Sequence, residues 1–352
     1  MTQWQDRMSW LIGLVALAVA VNATSLARAA DQLPQLGADI GQTSVSGLSS
    51  GAYMAGQLQL AHSRQIVGAG IVAGGPFACA ESAWARAFPF WPTAVLQNGQ
   101  FALYRCTRNG WGTPDAPALI ARAEELADGG RIDPLQGLAD DKVYLFSGEA
   151  DETVLRPVVE AAERFYKEAG VPAENLTLVE GRGGHGFLTS DEGGACTLSE
   201  PPYLNDCNYD QAETILEWIY GPLEDASPAP TGQFIAFDQS AFAQVDALLA
   251  AEGVVYVPAA CEEERGCRVH VALHGCGQAS ATAGDAFVKA SGFAEIADTN
   301  RLVILFPQAK ANAFNPRGCW DWWGYTGLDY LGKDAPQIAA IWAMVEHLAK
   351  QP

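Results

Sequence analysis

The stretch Thr43-Ser44-Val45-Ser46-Gly47-Leu48-Ser49-Ser50-Gly51-Ala52-Tyr53-Met54 joins a β-branched run to a row of small and apolar helix formers. Its Gly-x-Ser-x-Gly spacing predicts a sharp turn from strand to helix at Ser49, where the flanking glycines let neighbouring backbone pass close by. Such a turn holds the Ser49 hydroxyl clear of the sheet as a nucleophile. It also directs the first N–H groups of the helix, including that of Ser50, at the group under attack. Because Gly and Ser are common, an ordinary serine-rich turn is the alternative interpretation.

An acid and a base for this serine are expected on loops that follow later strands of the same sheet. Residues 142–147 and 176–179 have the composition of buried strands, and Asp151 and His185 follow them in that order. Triads of this kind occur in the chain order Ser, Asp, His, beyond the carboxyl ends of the strands. We predict that His185 takes the proton from Ser49 and that Asp151 fixes the tautomer of His185. A surface acid and an ordinary loop histidine are the alternatives.

The rest of the chain alternates buried strands with helices, which predicts a mainly parallel sheet with helices on both faces. Residues 77–117 contain Trp84, Trp91 and Trp111 without a clear period, and we expect them to form an irregular insertion across the mouth of the site. Further strands are expected at residues 66–72, 268–273 and 302–306, and helices at residues 52–62, 158–169, 209–220 and 284–299.

An oxyanion hole also needs a second N–H donor, and few residues lie between an expected cleavage site near residue 30 and the elbow strand to supply it. The segment His274-Gly275-Cys276-Gly277-Gln278 follows a buried strand near the other end of the chain, among elements that should precede an elbow. Residues 222–232 would connect the usual end of the fold to its usual beginning. We therefore infer a circularly permuted α/β-hydrolase that forms a single catalytic domain over residues 31–352. Two separate domains are the alternative.

Composition and charge restrict the class of protein. Of 352 residues, 49% are hydrophobic and 18% are charged, so the chain can bury a large core. Residues 1–30 resemble an export signal, because an apolar run at 11–20 precedes the small-x-small site Ala27-Arg28-Ala29; an uncleaved anchor is the alternative. A formal net charge of −20 disfavours binding to nucleic acid and to anionic membranes. We expect a monomer that is secreted to the periplasm or the medium.

The eight cysteines argue for disulfides in an exported protein, although this number permits 105 complete pairings. Sequence proximity suggests Cys196 with Cys207 and Cys261 with Cys267. The simplest completion is then Cys79 with Cys106 and Cys276 with Cys319. None of these spacings is CxxC, and His270, His274 and Cys276 fit a strand and its exit better than a zinc site. We expect neither a metal nor a cofactor.

Several segments together resemble one enzyme family, the circularly permuted poly(3-hydroxybutyrate) depolymerases, and especially their single-domain fungal type. The similarity covers roughly residues 40–348. It rests on the elbow, the Asp151 loop, His185, the segment at 274–278, Phe306-Pro307-Gln308-Ala309 and Gly318-Cys319-Trp320-Asp321-Trp322-Trp323, in this order. Its most specific parts are the segments at 274–278 and 318–323, together with their position after the histidine.

The resemblance implies roles for particular residues. Ser49, Asp151 and His185 would be the triad, and the backbone N–H groups of Ser50 and Cys276 would form the oxyanion hole. A bridge from Cys276 to Cys319 would pin the oxyanion loop to the tryptophan-rich segment. The candidates to line a polymer groove are Trp320, Trp322 and Trp323, with core packing as the alternative for each of them.

The leading hypothesis is a secreted serine esterase that hydrolyses poly(3-hydroxybutyrate) or a related polyhydroxyalkanoate through an acyl-enzyme. It would release short 3-hydroxyacid oligomers and monomers, and its partner would be the polyester surface or its oligomers. An esterase for small or aromatic esters, of the feruloyl or acetyl type, would share the triad and differ in the groove. A noncatalytic polymer-binding protein is the alternative from another class.

Overall fold

The computed structural model describes residues 31–352, so the predicted export signal lies outside the described residues. The strands are β1 (Asp39–Leu48), β2 (Ile66–Val72), β3 (Lys142–Gly148), β4 (Leu176–Gly181), β5 (Phe187–Thr189), β6 (Gly194–Ala195), β7 (Leu204–Asp206), β8 (Gln233–Asp238), β9 (Glu252–Val257), β10 (Arg268–Leu273) and β11 (Leu302–Phe306). The helices are α1 (Ser50–Ala61), α2 (Ala83–Ala87), α3 (Trp91–Gln100), α4 (Ala116–Asp128), α5 (Arg156–Glu168), α6 (Gln211–Tyr220), α7 (Ala259–Glu263), α8 (Ser280–Ala283), α9 (Ala286–Ala290), α10 (Phe293–Asn300) and α11 (Pro336–Ala349). Within residues 31–352, no helix is long and apolar enough to cross a membrane.

Eight of these strands form one sheet in the order β4-β3-β2-β1-β10-β11-β9-β8. Strand β9 runs antiparallel to both of its neighbours, and the other paired strands of this sheet are parallel. Because β1 pairs with β10, the two halves of the chain contribute to the same sheet. A smaller sheet contains β5, β7 and β6. The predicted α/β class, with a mainly parallel sheet, is confirmed.

The centre of the sheet is buried under helices on both faces. On one face, Tyr220 of α6 donates a hydrogen bond to the Ser44 hydroxyl at 2.8 Å, and Phe293 of α10 packs on His270 with 4.9 Å between ring centroids. On the other face, helix α1 packs against β1 and β2. Parallel strands covered in this way are buried on both faces, as the five buried residues of β11 illustrate.

His270 has a structural position within this core. Its Nδ1 lies 2.6 Å from the Ser44 hydroxyl and its Nε2 lies 2.8 Å from the Ser46 hydroxyl, so both ring nitrogens have partners. Burial lowers the pKa of His270 to about 3, which keeps the imidazole neutral. A neutral ring between two hydroxyls cross-links β1 to β10 and is not available as a catalytic base.

Two local predictions were wrong. Residues 77–117 are not irregular, because they contain α2, α3, a π-helical turn at Phe101–Arg105 and the start of α4. Exposed apolar residues hid these short helices in the sequence, because Leu96 lies on the solvent side of α3 and Phe88 and Phe90 lie between α2 and α3. The single helix expected at residues 284–299 is divided into α9 and α10 at Gly292, whose φ of +86° ends the helical path.

The buried carboxyl of Asp141, which precedes β3, should make the stability of the folded protein depend on pH. Burial raises the pKa of this carboxyl to about 7, and its Oδ2 accepts a hydrogen bond from Gln59 at 2.7 Å. The folded protein therefore holds the proton more tightly than the unfolded chain. The contribution of this proton to the free energy of unfolding is fully present below the ordinary carboxyl pKa of about 4, and it is lost as the pH rises through 7.

We therefore expect Asp141→Asn to melt at a higher temperature than the wild type at pH 8, with a much smaller difference at pH 4. Thermal unfolding of both proteins across this range measures the effect. The exposed Asp128→Asn is the matched control and should follow the wild type at every pH. A constant difference between Asp141→Asn and the wild type would show that this carboxyl does not titrate as described.

Candidate active site

Ser49 occupies the turn between β1 and α1. Its φ of 56° and ψ of −117° lie outside the regions that non-glycine residues usually adopt. Hydrogen bonds hold this conformation, because the Ser49 N–H donates to the Val72 carbonyl at 2.9 Å and the Ser49 carbonyl accepts from the Tyr53 N–H at 3.1 Å. The side chain is half-buried, so a hydroxyl at the strand end remains reachable. Strain maintained in this way is typical of a nucleophile elbow.

The glycines of the elbow allow the end of β10 to lie directly against it. A Cβ on Gly51 would stand 2.3 Å from the Leu273 carbonyl oxygen and 2.6 Å from that of His274. A Cβ on Gly47 would stand 2.4 Å from the Gly51 backbone. No Cβ fits at such distances, and the loop that begins at His274 is therefore a neighbour of Ser49.

Asp151 and His185 form a hydrogen-bonded pair. The Asp151 Oδ2 lies 2.8 Å from the His185 Nδ1, and both side chains are buried. The other oxygen of Asp151 accepts from the backbone N–H groups of Thr153 and Val154 at 2.8 and 3.0 Å. A carboxylate only accepts, so the His185 Nδ1 carries the proton and its Nε2 is left as an acceptor. This is the tautomer that a general base requires.

The loops that carry this pair are joined to each other. The Ala150 N–H donates to the Gly183 carbonyl at 2.9 Å, which links the loop after β3 to the loop after β4. The His185 N–H donates to the Ser199 hydroxyl at 2.8 Å. Because β1, β3 and β4 are parallel strands of one sheet, Ser49, Asp151 and His185 all lie beyond the same edge.

The segment 274–278 forms a tight loop beside the elbow. The Gly275 N–H donates to the Gln278 Oε1 at 2.7 Å, and the Gly277 N–H donates to the Arg317 carbonyl at 2.6 Å. Within residues 31–352, the N–H groups of Ser50 and Cys276 donate to no protein atom. Unpaired N–H groups beside a nucleophile are the donors that an oxyanion hole needs.

His274 holds this loop as a neutral ring. Its Nδ1 lies 2.8 Å from the Gly275 carbonyl and its Nε2 accepts from the Ala309 N–H at 3.1 Å. Burial lowers the pKa of His274 to about 4, so the ring stays uncharged above that pH. The ring thereby ties the loop to the end of β11.

Sequence reasoning missed the link between this loop and His185. The Gln278 amide donates to the carbonyls of Pro202 and Tyr203, each at 3.1 Å. The Tyr203 ring stands edge-on to His185 with 6.3 Å between centroids, and its hydroxyl accepts from Arg317. Gln278 thus sets the position of both the oxyanion loop and the residue that packs on the base. The polar side chain at the end of an otherwise glycine-rich loop was the signal for it.

All four expected disulfides are present: Cys79–Cys106, Cys196–Cys207, Cys261–Cys267 and Cys276–Cys319. The last of these fixes the oxyanion loop to the segment 318–323. Since Cys276 is bridged, it is not available as a metal ligand, and residues 31–352 contain no group of His, Cys, Asp and Glu side chains suited to a metal ion.

The three tryptophans of the segment 320–323 do not share one environment. Trp320 is fully buried against His274, with 5.1 Å between ring centroids, so its prediction as a groove residue was wrong. Trp322 stacks on Tyr53 at 3.9 Å and is 7% exposed. Trp323 is half-buried and is therefore the best placed of the three to meet a ligand.

Asp321 organises the chain that follows Trp320. Its buried carboxylate accepts from the N–H groups of Gly324, Tyr325 and Thr326 at 2.7 to 3.0 Å, which closes the chain into a tight loop. The loop breaks the alternation of an extended strand, so successive side chains do not simply face opposite sides. No sequence period records such a loop.

The chain is similar in sequence to two depolymerases of known name. The poly(3-hydroxybutyrate) depolymerase of Delftia acidovorans is 40% identical over 338 residues, which cover 94% of this chain and 64% of that protein. This chain therefore spans less than two thirds of that relative. The polyhydroxybutyrate depolymerase of Talaromyces funiculosus is 32% identical over 360 residues, which cover 97% of each chain. No protein-family model matches the chain.

Two solved structures have a similar fold. The first is a serine-to-alanine variant of a PHB depolymerase complexed with an R3HB trimer, with a TM-score of 0.80. The second is the PHB depolymerase from Penicillium funiculosum, with a TM-score of 0.79. Each is 32% identical to this chain, and each match covers 90% of this chain and 98% of the other.

Proposed function

Since the chain belongs to the poly(3-hydroxybutyrate) depolymerase family, we propose that it is a secreted, monomeric serine esterase that hydrolyses this polyester or a close polyhydroxyalkanoate. Short 3-hydroxyacid oligomers and monomers are its products. The observation that carries the proposal is the hydrogen bond from His185 to Asp151 at the sheet edge where Ser49 forms a strained elbow.

In the proposed mechanism, the Ser49 hydroxyl attacks an ester carbonyl while the His185 Nε2 takes its proton. Asp151 keeps the proton of the other ring nitrogen in place and stabilises the imidazolium. The N–H groups of Ser50 and Cys276 stabilise the oxyanion of the tetrahedral intermediate. His185 then protonates the departing alkoxide, and the acyl-enzyme remains. Water hydrolyses this acyl-enzyme, with His185 first taking a proton from the water and then returning it to the Ser49 oxygen.

The strand order supports a circular permutation within a single catalytic domain over residues 31–352. Strand β1 precedes the nucleophile and lies near the middle of the sheet. Strands β2 to β4 lie on one side of β1 and follow it in the chain, whereas the strands on the opposite side, β8 to β11, come last in the chain. The connector at 222–232 lies against α10, because the Ser227 N–H donates to the Glu295 carbonyl and the Gly232 N–H donates to Asp298. Four disulfides are consistent with export to an oxidising compartment.

Contact with a solid polymer requires an apolar surface, and the segment 77–117 offers one. It presents the exposed side chains of Trp84, Phe88, Phe90, Leu96, Leu103, Tyr104 and Trp111. The Cys79–Cys106 disulfide closes this segment on itself, and the hydrogen bond from Tyr53 to the Cys106 carbonyl joins it to α1, one turn beyond Ser49. The apolar surface therefore lies on the same part of the molecule as the elbow.

Clearing of a poly(3-hydroxybutyrate) suspension by the purified protein, with released acids identified by mass spectrometry, tests the proposal. Clearing with release of 3-hydroxybutyrate monomer or dimer is the expected result. If the protein instead cleaves only soluble esters, the substrate belongs to the small-ester class and the depolymerase assignment fails. If neither substrate is cleaved, the esterase assignment itself fails.

The exposed aromatic residues predict a separation between polymer and soluble substrates. Phe88 and Phe90 are 60% and 66% exposed, so replacing both with serine should affect stability little. We expect the double variant to adsorb to polymer film and to clear suspensions several-fold less well, with unchanged kcat/KM on a soluble ester. Val245→Ser, at a side chain that is 98% exposed outside this segment, is the matched control. Equal losses on both substrates would assign the two rings to the catalytic machinery.

A further inference from the structure

A cavity lies apart from the proposed catalytic centre, between α4 and the helical residues of 78–105. Its volume is about 310 Å³. Its lining, drawn from the described residues, includes neither Ser49 nor Asp151 nor His185. The cavity is thus a separate feature with room for a small organic molecule.

Four of the charged groups in and around this cavity neutralise one another. Arg122 holds the buried Glu81 with two hydrogen bonds of 2.6 and 2.9 Å, and it lies 2.9 Å from Glu125. Arg86 lies 3.5 Å from Glu125 and 3.8 Å from Glu81. Two guanidinium groups and two carboxylates therefore form a balanced network that needs no ligand.

Arg105 is outside this network and lacks a partner. Its Nε is buried, and no hydrogen-bond acceptor or ion pair meets the side chain anywhere in the described part of the chain. Its guanidinium only lies over the Phe101 ring, 5.7 Å from the centroid. A buried donor without an acceptor is costly, especially on a charged group. A carboxylate is the acceptor whose two oxygens match the geometry of a guanidinium.

Asp115, which is exposed, supplies an opposite charge without an ion-pair partner among the described residues. It precedes α4, but its side chain makes no capping hydrogen bond, and the described residues give it no ion pair. It lines the same cavity as Arg105, together with the apolar Trp84, Ala118 and Leu119. An unpaired carboxylate accepts a hydrogen bond from a hydroxyl, and the apolar wall accommodates a short aliphatic body.

We propose that this cavity binds a short hydroxy acid, with its carboxylate on Arg105, its hydroxyl donating to Asp115 and its carbon chain against Trp84 and Leu119. The identity of the ligand rests on the proposed function, because hydroxy acids of this kind are the products of that reaction. The cavity is then a product-binding site outside the catalytic centre. Binding itself requires no turnover.

The experiment is a calorimetric titration of (R)-3-hydroxybutyrate into the Ser49→Ala protein. We expect saturable binding that Arg105→Gln weakens by about tenfold or more, since a charge-assisted contact is lost. Arg108→Gln, at a nearby exposed arginine, should leave the affinity unchanged. If Arg105→Gln folds normally and binds as tightly as its parent, the acid binds elsewhere and the proposal is overturned.

A second comparison does not depend on the folding of an Arg105 variant. Butyrate lacks the hydroxyl, so it should bind more weakly than 3-hydroxybutyrate, and Asp115→Ala should abolish this preference. Quenching of tryptophan fluorescence on binding should disappear in Trp84→Phe. An unchanged preference in Asp115→Ala, or tighter binding of 3-aminobutyrate, would overturn the hydroxy-acid assignment. Loss of esterase activity alone would leave it standing, because these are equilibrium measurements.

Discussion

Ser49→Ala and His185→Ala are each expected to lower kcat by a factor on the order of 10⁶, and the double variant is expected to be little worse than either. The two residues act as one unit, because the hydroxyl is a weak nucleophile until the ring removes its proton. Asp151→Asn should cost about 10⁴, since the amide no longer enforces the required tautomer. Hydrolysis of a soluble ester measures all of these effects.

The adjacent serine is the matched control. Ser50→Ala retains the backbone N–H that the oxyanion hole needs, and the Ser50 hydroxyl is buried without a hydrogen-bond partner in the described residues. We expect Ser50→Ala to keep kcat within a few-fold of the wild type. Additive losses in the double variant of Ser49 and His185, or inactivation by Ser50→Ala alone, would mean that the nucleophile or the base is assigned to the wrong residue.

The strands and the acid–base pair could be predicted because they depend on local signals. Strands β10 and β11 have the predicted bounds, since each is an apolar run between turn-forming residues. The contact between Asp151 and His185 follows from topology, because loops after neighbouring parallel strands meet at one edge. Few histidines follow a strand in this chain, which made the choice of base tractable.

Other parts of the site depend on contacts between distant residues, which leave no local pattern. The link from Gln278 to Tyr203 spans 75 residues and was not predicted. The burial of Trp320 against His274 brings together residues that are far apart in the chain, and the loop that Asp321 closes has no sequence period. The apolar faces of the helices in 77–117 were hidden by aromatic residues that stay exposed. In each case tertiary packing, and not local propensity, decides the outcome.

Gly51→Ala is expected to have the largest effect on stability of the substitutions considered. Its Cβ would lie 2.3 Å from the Leu273 carbonyl oxygen, which belongs to the backbone of a central strand and cannot move aside alone. Overpacking of this kind typically costs about 1–3 kcal/mol of unfolding free energy. Displacement of the oxyanion loop should also lower kcat, by about 10²-fold. Urea unfolding and hydrolysis of a soluble ester measure the two effects.

Gly56→Ala is the same substitution on the same helix, at a buried position with room for a Cβ. There the Cβ would lie 3.4 Å from the Tyr166 hydroxyl and 3.9 Å from Ile71, which are ordinary contacts. Alanine favours the helix by up to about 1 kcal/mol, so this variant should be neutral or more stable, with wild-type kcat. Helix propensity is common to both sites, and only Gly51 touches β10. If Gly51→Ala loses stability and kcat while Gly56→Ala loses neither, the loss arises at the contact between the elbow and β10, in the C-terminal half of the chain. Equal effects of the two substitutions would mean that this contact does not hold the oxyanion loop in place.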